Sequence, residues 1–138
     1  MIFQQQIQVK TNGRGTQNIT SDIVSVIQKS SINTGLCHVF IQHTSASLII
    51  TENADPDVRR DLEYYFSKHV QDGDPNYHHN MEGDDDMAAH IRTVLTQTEI
   101  TIPLISGNLG LGVWQGLFLW EHRNHPHRRT ITITLSGE

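Results

Sequence analysis

The chain has 138 residues, with 10 Lys and Arg against 15 Asp and Glu, a formal net charge of −5, and 9 His. This length suits one domain with a sizeable core and is too short for a (β/α)8 barrel, which needs roughly 200 residues or more. The acidic balance argues against general nucleic-acid binding, and no apolar run approaches the ~18–20 residues of a membrane helix. The many histidines raise the question of whether some of them take part in catalysis or metal binding.

Hydrophobic periodicity divides the chain into six strands and three helices. In chain order these are a strand over 2–10, a helix over 21–30, strands over 36–42 and 48–51, a helix that opens at Asp55-Pro56, a helix over about 85–96, and strands over 99–105, 112–121 and 129–135. Because the strands outnumber the helices and are grouped at both ends, we predict an α+β fold. It would be a mixed or antiparallel, β-sandwich-like sheet in a single domain over 1–138.

The helices are predicted from capping residues and apolar stripes. The first takes Thr20 or Ser21 as its N-cap, and the second takes Asp55, with Pro56 at its first position. The third carries an apolar stripe that we expect to be buried. That stripe consists of Met87, Ile91, Val94 and Leu95. Residues 70–83 form the one long loop, and loops of this length are usually functional or disordered.

Cysteine usage and the N-terminus predict a cytoplasmic protein. Cys37 is the only cysteine, and its apolar surroundings favour a core position over a nucleophile. Residues 1–6 lack the basic and apolar regions of a signal peptide.

The first polar segment whose side chains could take part in catalysis or binding is His43-Thr44-Ser45-Ala46-Ser47, which follows a predicted strand. Its imidazole could act as a general base, or its hydroxyls and backbone N–H groups could hold an anion. A turn that merely caps the strand explains the segment equally well. Glu52 and Asp55 follow the next strand, where Asp55 already has a structural role as an N-cap and an exposed Glu52 is ordinary.

The second segment runs from Tyr77 to His90 and contains the acidic run 84–86. Imidazoles suit Zn²⁺ and other divalent metals, and His79 in the loop could converge with His90 on the helix. The spacing does not specify a metal, because HExxH and paired CxxC motifs are absent. A boundary histidine and a solvated helix start are the alternative interpretation.

The third segment begins in the predicted strand over 112–121. Both faces of this strand are apolar in the middle, so Gln115 inside it would need a hydrogen-bond partner or cost about 1–3 kcal/mol. Residues 122–129 then contain three Arg and three His, a cationic cluster that suits phosphate or carboxylate. A solvated turn and an intersubunit salt-bridge cluster are the alternatives.

Several short sequence motifs follow one another along the whole chain. They are Gln42-His43-Thr44-Ser45-Ala46-Ser47-Leu48, Glu52-Asn53-Ala54-Asp55-Pro56, Tyr77-x-His79-Asn80-x-Glu82-Gly83, Asp85-Asp86-Met87-x-x-His90-Ile91, Gly112-x-Trp114-Gln115-Gly116 and Glu121-His122-Arg123. This order resembles the YjbQ family, described as secondary thiamine-phosphate synthases. The resemblance implies a small α+β domain that assembles as a homotrimer, with a site of clustered histidines and acids that a metal ion would occupy.

From the residues and this resemblance together we predict a small enzyme that acts on a phosphorylated small molecule. Its nominal reaction transfers a pyrimidine group to a thiazole phosphate and releases pyrophosphate, with a divalent ion, Zn or Mg, to stabilise the departing charge. The predicted roles are metal ligation by His79, His90 and His122, substrate contact by Ser45, Glu121 and Arg123, and catalysis by His43, Glu52, Asp55 and Gln115. The alternatives are a non-catalytic binding protein for a phosphorylated metabolite and a metal-dependent phosphoester hydrolase.

Overall fold

Eight strands and three helices make up the computed structural model, which describes residues 1–138. They are β1 (Ile2–Lys10), β2 (Gly15–Asn18), α1 (Thr20–Ile27), β3 (Gly35–Ile41), β4 (Ala46–Glu52), α2 (Pro56–His69), α3 (Asp86–Leu95), β5 (Glu99–Ile105), β6 (Asn108–Leu109), β7 (Gln115–Glu121) and β8 (Arg128–Gly137). The predicted α+β class is confirmed. None of the three helices has the length and apolar character that crossing a membrane requires.

The strands form two sheets in which every pair is antiparallel. The larger sheet has the order β1-β8-β3-β5-β6, and the smaller one has the order β2-β7-β4. The hydrophobic core lies between them and draws on both, for example on Ile133 of β8 and Leu119 of β7. The alternation predicted for β8 is confirmed, since Ile131, Ile133 and Leu135 are fully buried.

Two short strands, β2 and β6, are absent from the sequence prediction. β2 has the sequence Gly-Thr-Gln-Asn, without apolar alternation, and is formed by backbone pairing with β7. β6 pairs with β5 through a tight turn at Ser106-Gly107, where both residues have positive φ, 51° and 78°. Such turns connect paired strands without an apolar pattern of their own.

The capping predictions for α1 and α2 have different outcomes. Helix α1 begins at Thr20, so neither Thr20 nor Ser21 is its N-cap; instead Asn18 Oδ1 accepts the Thr20 N–H at 2.9 Å. Helix α2 is capped as predicted, since Asp55 Oδ1 accepts the Asp57 N–H at 2.9 Å. No residue of α2 is buried, and the helix contacts the smaller sheet through Phe66, whose ring packs against that of Trp120.

The prediction of which face of α3 is buried is wrong. Val94 is 83% exposed and Leu95 is 61% exposed, whereas the buried face includes Asp86 and Arg92. Burial of these charges is sustained by partners distant in sequence, Arg123 for Asp86 and Glu63 for Arg92. Periodicity detects an amphipathic helix but cannot reveal that its polar face is the internal one.

Candidate functional site

Two histidines and one aspartate meet at the start of α3. Asp86 and His90 are one turn apart and therefore share a face of the helix, while the loop after α2 returns His79 to the same place. His79 Nε2 lies 2.7 Å and His90 Nε2 3.4 Å from Asp86 Oδ2. One ligand atom from each residue lies within 4.8 Å of the others, so we call His79, Asp86 and His90 the triad.

The hydrogen bonds of His90 define which of its nitrogens is free. Its Nδ1 lies 2.9 Å from the Thr44 carbonyl oxygen, which accepts only from a protonated nitrogen. In the neutral ring Nε2 therefore carries a lone pair, and this lone pair lies near the acceptor oxygen of Asp86. Two acceptors at this separation repel each other unless a proton or a cation lies near both. The triad thus has the donor set and orientation that suit a divalent ion.

Arg123 fixes the carboxylates on the other side of the triad. Its Nη1 donates to Asp86 Oδ1 at 2.8 Å, its Nε to Asp85 Oδ2 at 2.9 Å, and its Nη2 to the Glu82 carbonyl at 2.9 Å. Burial alone would raise the pKa of Asp86, but the hydrogen bond with His79 and the nearby positive charge of Arg123 lower it. Asp86 is therefore a carboxylate held in place, and each nitrogen of Arg123 already donates to a protein oxygen.

A buried ion pair between Glu121 and Arg129 lies next to Arg123. Both Arg129 Nε and Nη2 donate to Glu121, and Thr11 Oγ1 donates to it at 2.6 Å. Arg129 Nη2 also donates to Ser45 Oγ at 3.0 Å. The three predicted substrate contacts, Ser45, Glu121 and Arg123, thus lie close to the triad but are engaged with other protein groups.

His43 lies between this ion pair and the cavity beside His90. Its Nε2 accepts the Thr130 N–H at 2.8 Å, and Arg129 Nη1 approaches its Nδ1 at 3.4 Å. Burial lowers the pKa of His43, and the charge of Arg129 lowers it further. Because a backbone donor already occupies Nε2, the ring has no free lone pair there with which to act as a base.

His122 is placed outside the triad. It is fully buried, its Nε2 lies 2.8 Å from Ser47 Oγ, and its ring packs 5.1 Å from that of Trp120. Burial, followed by the charge of Arg92, lowers the pKa of His122 to about 2. The structure therefore brings together two of the three predicted metal ligands, His79 and His90, with Asp86 beside them.

The remaining predicted catalytic residues lie at the opposite end of β4. Glu52 ends this seven-residue strand, about 20 Å along it from Ala46, and its Oε2 accepts the Asp55 N–H at 2.7 Å. Gln115 pairs with Glu52 across the sheet. The prediction that Gln115 is buried is wrong: it is exposed, and its Oε1 accepts the Gly112 N–H at 2.7 Å. Glu52, Asp55 and Gln115 do not reach the triad within one chain.

Two cavities open on either side of the triad. One, of about 150 Å³, is lined by His79 and by residues of the loop after α2. The other, of about 440 Å³, is lined by His43, His90, Val94 and four threonines. No Lys, Arg, Asp or Glu lines the larger cavity, so it suits an uncharged group.

The sequence and the fold are similar to those of known proteins. The family model described as UPF0047 protein YjbQ-like matches residues 5–138. The chain belongs to this family. A UPF0047 protein of Synechocystis sp. is 53% identical over 130 residues, which are 94% of this chain and 88% of that protein. The YjbQ protein of Escherichia coli O157:H7 is 40% identical over 100% of both chains.

Solved structures agree with this family assignment. A crystal structure from Clostridium acetobutylicum, described as an uncharacterised conserved protein of the YjbQ/UPF0047 family, is 32% identical, with 95% of this chain and 98% of that chain covered and a TM-score of 0.86. A YbjQ-like protein of unknown function from Sulfolobus solfataricus is 23% identical over 100% of both chains, with a TM-score of 0.87, and shows the same fold. These names assign no reaction.

Sequence reasoning about this YjbQ-like chain gave no role to Asp86. The acidic run 84–86 was consistent with a solvated helix start, yet the side chain of Asp86 is only 3% exposed. The i, i+4 spacing of Asp86 and His90 is the pattern that could have identified it. The Thr44 group that orients His90 is a backbone carbonyl, which every residue has, so residue type could not have indicated this contact.

Proposed function

We propose that His79, Asp86 and His90 hold a divalent metal ion and that the site acts on a phosphorylated small molecule. The observation that carries the proposal is the orientation of His90, whose Nδ1 is committed to Thr44 while Nε2 lies near Asp86 Oδ2 at 3.4 Å. Two imidazoles and one carboxylate favour Zn²⁺ or another first-row ion over Mg²⁺, which prefers oxygen ligands.

The surrounding contacts support a preorganised metal site. The Thr44 carbonyl orients His90, and Arg123 orients Asp86 by holding its second oxygen at 2.8 Å. Contacts of this kind fix the tautomer of a ligating histidine and the direction of a ligating carboxylate. His79, at 48% side-chain exposure, lies on the open side of the triad.

The charges around the triad support a phosphorylated substrate bound through the ion. Arg123 and Arg129 are both paired with carboxylates, so the protein itself already balances their charge. A bound divalent ion would supply the positive charge that stabilises a departing phosphate or pyrophosphate group. The uncharged cavity beside His90 would take the rest of the molecule.

For the reaction we propose the transfer of a pyrimidine group to a thiazole phosphate with release of pyrophosphate. Such a step depends on stabilisation of the leaving group more than on a strong base. This requirement agrees with His43, whose Nε2 accepts the Thr130 N–H at 2.8 Å. In this scheme the His43 ring forms part of the wall of the substrate cavity and does not remove a proton.

Assembly and location complete the proposal. We propose that the protein forms a homotrimer, a suggestion that the exposed Val94 and Leu95 on α3 support, since exposed apolar patches commonly mark interfaces. We also propose a cytoplasmic location, in agreement with the unpaired, buried Cys37.

Metal content tests the ligand assignment. Protein stripped with a chelator, reloaded with Zn²⁺ and desalted is expected to retain about one ion per chain by mass spectrometry. His90→Ala and His79→Ala are expected to lose this ion, while His38→Ala, which removes a histidine far along β3, retains it. Full metal retention by both triad variants would contradict the assignment.

Product formation tests the reaction separately. The reloaded protein is incubated with a pyrimidine pyrophosphate and a thiazole phosphate, with and without chelator, and the coupled product is measured. We expect product that depends on the ion and on His90. Saturable substrate binding without product would identify a binding protein instead, and release of inorganic phosphate from simple phosphoesters would identify a hydrolase.

A further inference from the structure

Arg92 of α3 is fully buried, yet two of its three guanidinium nitrogens have no hydrogen-bond partner. Nη1 donates to Glu63 Oε1 at 2.6 Å, while Nε and Nη2 are the two without partners. The N–H bonds of Nε and Nη2 point the same way from one edge of the planar guanidinium group. Arg92 therefore presents an unused two-donor fork, the arrangement that matches the two oxygens of a carboxylate.

A second buried group without a partner lies nearby. His122 is also fully buried, and its Nδ1 makes no hydrogen bond, while its Nε2 lies 2.8 Å from Ser47 Oγ. If the Ser47 hydroxyl donates to Nε2, the neutral ring carries its proton on Nδ1 and offers a third donor. After burial, the charges that lower the pKa of His122 are those of Arg92, Arg14 and Arg129, so the potential here is positive.

Helix α2 closes this region from the outside through a single carboxylate. Glu63 Oε1 accepts from Arg92, and Glu63 Oε2 accepts the Trp120 indole N–H at 2.8 Å. Phe66 packs edge-on against Trp120 with ring centroids 5.0 Å apart. A groove of about 330 Å³ between β2 and α2 has Glu63 in its lining. Glu63 and Phe66 of α2 therefore cover Arg92 and Trp120 from the outside.

The unused donors call for an occupant that accepts hydrogen bonds. Buried donors without partners are costly, and charged ones more so. A water molecule would accept from the fork but would leave the positive potential unbalanced. Glu63 does not balance it fully, because its side chain is 31% exposed and its charge is screened by solvent. A small oxyanion supplies both the acceptor oxygens and the opposite charge.

We propose that the Arg92 fork and His122 Nδ1 form an internal binding site for a small planar oxyanion of the carboxylate or bicarbonate type, closed by α2. The site does not involve the triad, although Arg92 and His90 lie on the same helix. The anion would join α2, α3 and β7 from inside, so its occupancy would stabilise the folded protein.

Sodium formate is the probe, and Trp120 is the reporter because it contacts Glu63 and lies 5.1 Å from the His122 ring. The chain has two tryptophans, so a Trp114→Phe background leaves only Trp120 to report. At constant ionic strength, formate is expected to change its fluorescence saturably, while chloride does not. The midpoint of thermal unfolding should rise along the same titration.

Matched variants assign the response to the fork. Arg92→Lys keeps the charge but removes the planar fork, and we expect it to weaken formate binding by about tenfold or more. Arg60→Lys makes the same chemical change at an exposed position of α2 and should bind formate like the parent. His79→Ala should also respond normally, which separates this site from the metal proposal. An equal response in Arg92→Lys and the parent would overturn the proposal.

A crystal structure of the unsubstituted chain in formate removes the dependence on a buried variant. Planar density of three atoms with both oxygens on Arg92 Nε and Nη2 would support the site even if Arg92→Lys failed to fold. Water alone in the fork, or side chains that fill it, would overturn the proposal.

Discussion

At the residue scale, the pair of Glu121 and Arg129 joins the two sheets next to the triad. Glu121 is fully buried and is bonded to Arg129 and Thr11. Burial alone would raise the pKa of Glu121, but these hydrogen bonds outweigh burial and hold the pKa below its usual range. The carboxylate therefore stays charged in the folded protein, and Arg129 is held for its contacts with Ser45.

Removal of this one carboxylate is expected to lower the free energy of unfolding strongly. Glu121→Gln leaves the buried Arg129 without its counterion, which typically costs about 3–5 kcal/mol of unfolding free energy. Because the folded pKa of Glu121 is lowered, its contribution is fully present above the unfolded value of about 4.3 and is lost as the pH falls through the folded value. Urea denaturation from pH 3 to 7 measures both effects.

Glu99→Gln serves as the matched control for that experiment. The Glu99 side chain is 67% exposed, so the same chemical change is expected to alter the unfolding free energy by less than about 1 kcal/mol. If Glu121→Gln proved as stable as Glu99→Gln, the ion pair would have no structural importance.

Single residues show what the sequence can and cannot reveal about the site. Residue type, spacing and motif order predicted that His79 and His90 are metal ligands, and the structure brings both together. His122 is also a histidine in a motif that resembles the family, but it directly follows β7 and lies fully buried beside Ser47. Residue type and order cannot distinguish these environments, because burial depends on elements that are distant in the chain.

At the element scale, the loop that carries His79 is anchored where it leaves α2. Arg14 on the turn before β2 donates to Asp72 through Nη1 and Nη2 at 2.8 and 2.9 Å, and the Gly73 N–H donates to the Asp84 carbonyl at 2.9 Å. These contacts close the base of the loop, so they position His79 toward Asp86. Arg14 is thus a positioning residue for the triad.

Loosening this anchor is expected to weaken metal binding without removing a ligand. Arg14→Ala should lower the affinity for Zn²⁺ by up to about tenfold, the smallest effect expected for a group that orients a metal ligand directly. Competition with a chromophoric chelator measures the affinity, and Arg60→Ala, which removes an exposed arginine, is the control. Unchanged affinity in Arg14→Ala would show that the loop holds its shape without Arg14.

The start of α2 offers a test of whether Asp55 is structural or catalytic. As the N-cap it accepts the Asp57 N–H, so Asp55→Ala is expected to cost about 1 kcal/mol of unfolding free energy. Asp61→Ala, inside the same helix and exposed, should cost less than about 0.5 kcal/mol. Metal content should be unchanged in both; loss of turnover in Asp55→Ala at full metal occupancy would instead favour the catalytic role.

The elements also show the limits of periodicity. Strand β8 was predicted correctly because one of its faces is apolar and meets the core. Helix α3 was given the wrong buried face because Asp86, Arg92 and Thr93 turn inward. Polar residues become internal only when other segments supply their partners, and those partners are 29 residues away for Arg92 and 37 for Asp86.

At the scale of the whole molecule, apolar side chains are exposed near the larger cavity. Val94 is 83% exposed and lines this cavity, and Phe40 of β3, at 39% exposure, lies on the far side of His43. Along β3 the outward-facing side chains Leu36 and Phe40 alternate with buried ones and are exposed. A neighbouring copy that covered Val94 and Phe40 would also close the cavity beside His90.

This placement makes the proposed homotrimer testable at one residue. Light scattering coupled to size exclusion should give the unsubstituted protein about three times its chain mass of 15.6 kDa. Val94→Asp places a charge on the apolar surface and is expected to shift the protein to monomer, because burying an unpaired charge opposes association. Tyr64→Asp, at a 57% exposed position on α2, should leave the mass unchanged. An unaltered mass for Val94→Asp would place the interface on another face, away from the cavity and its histidines.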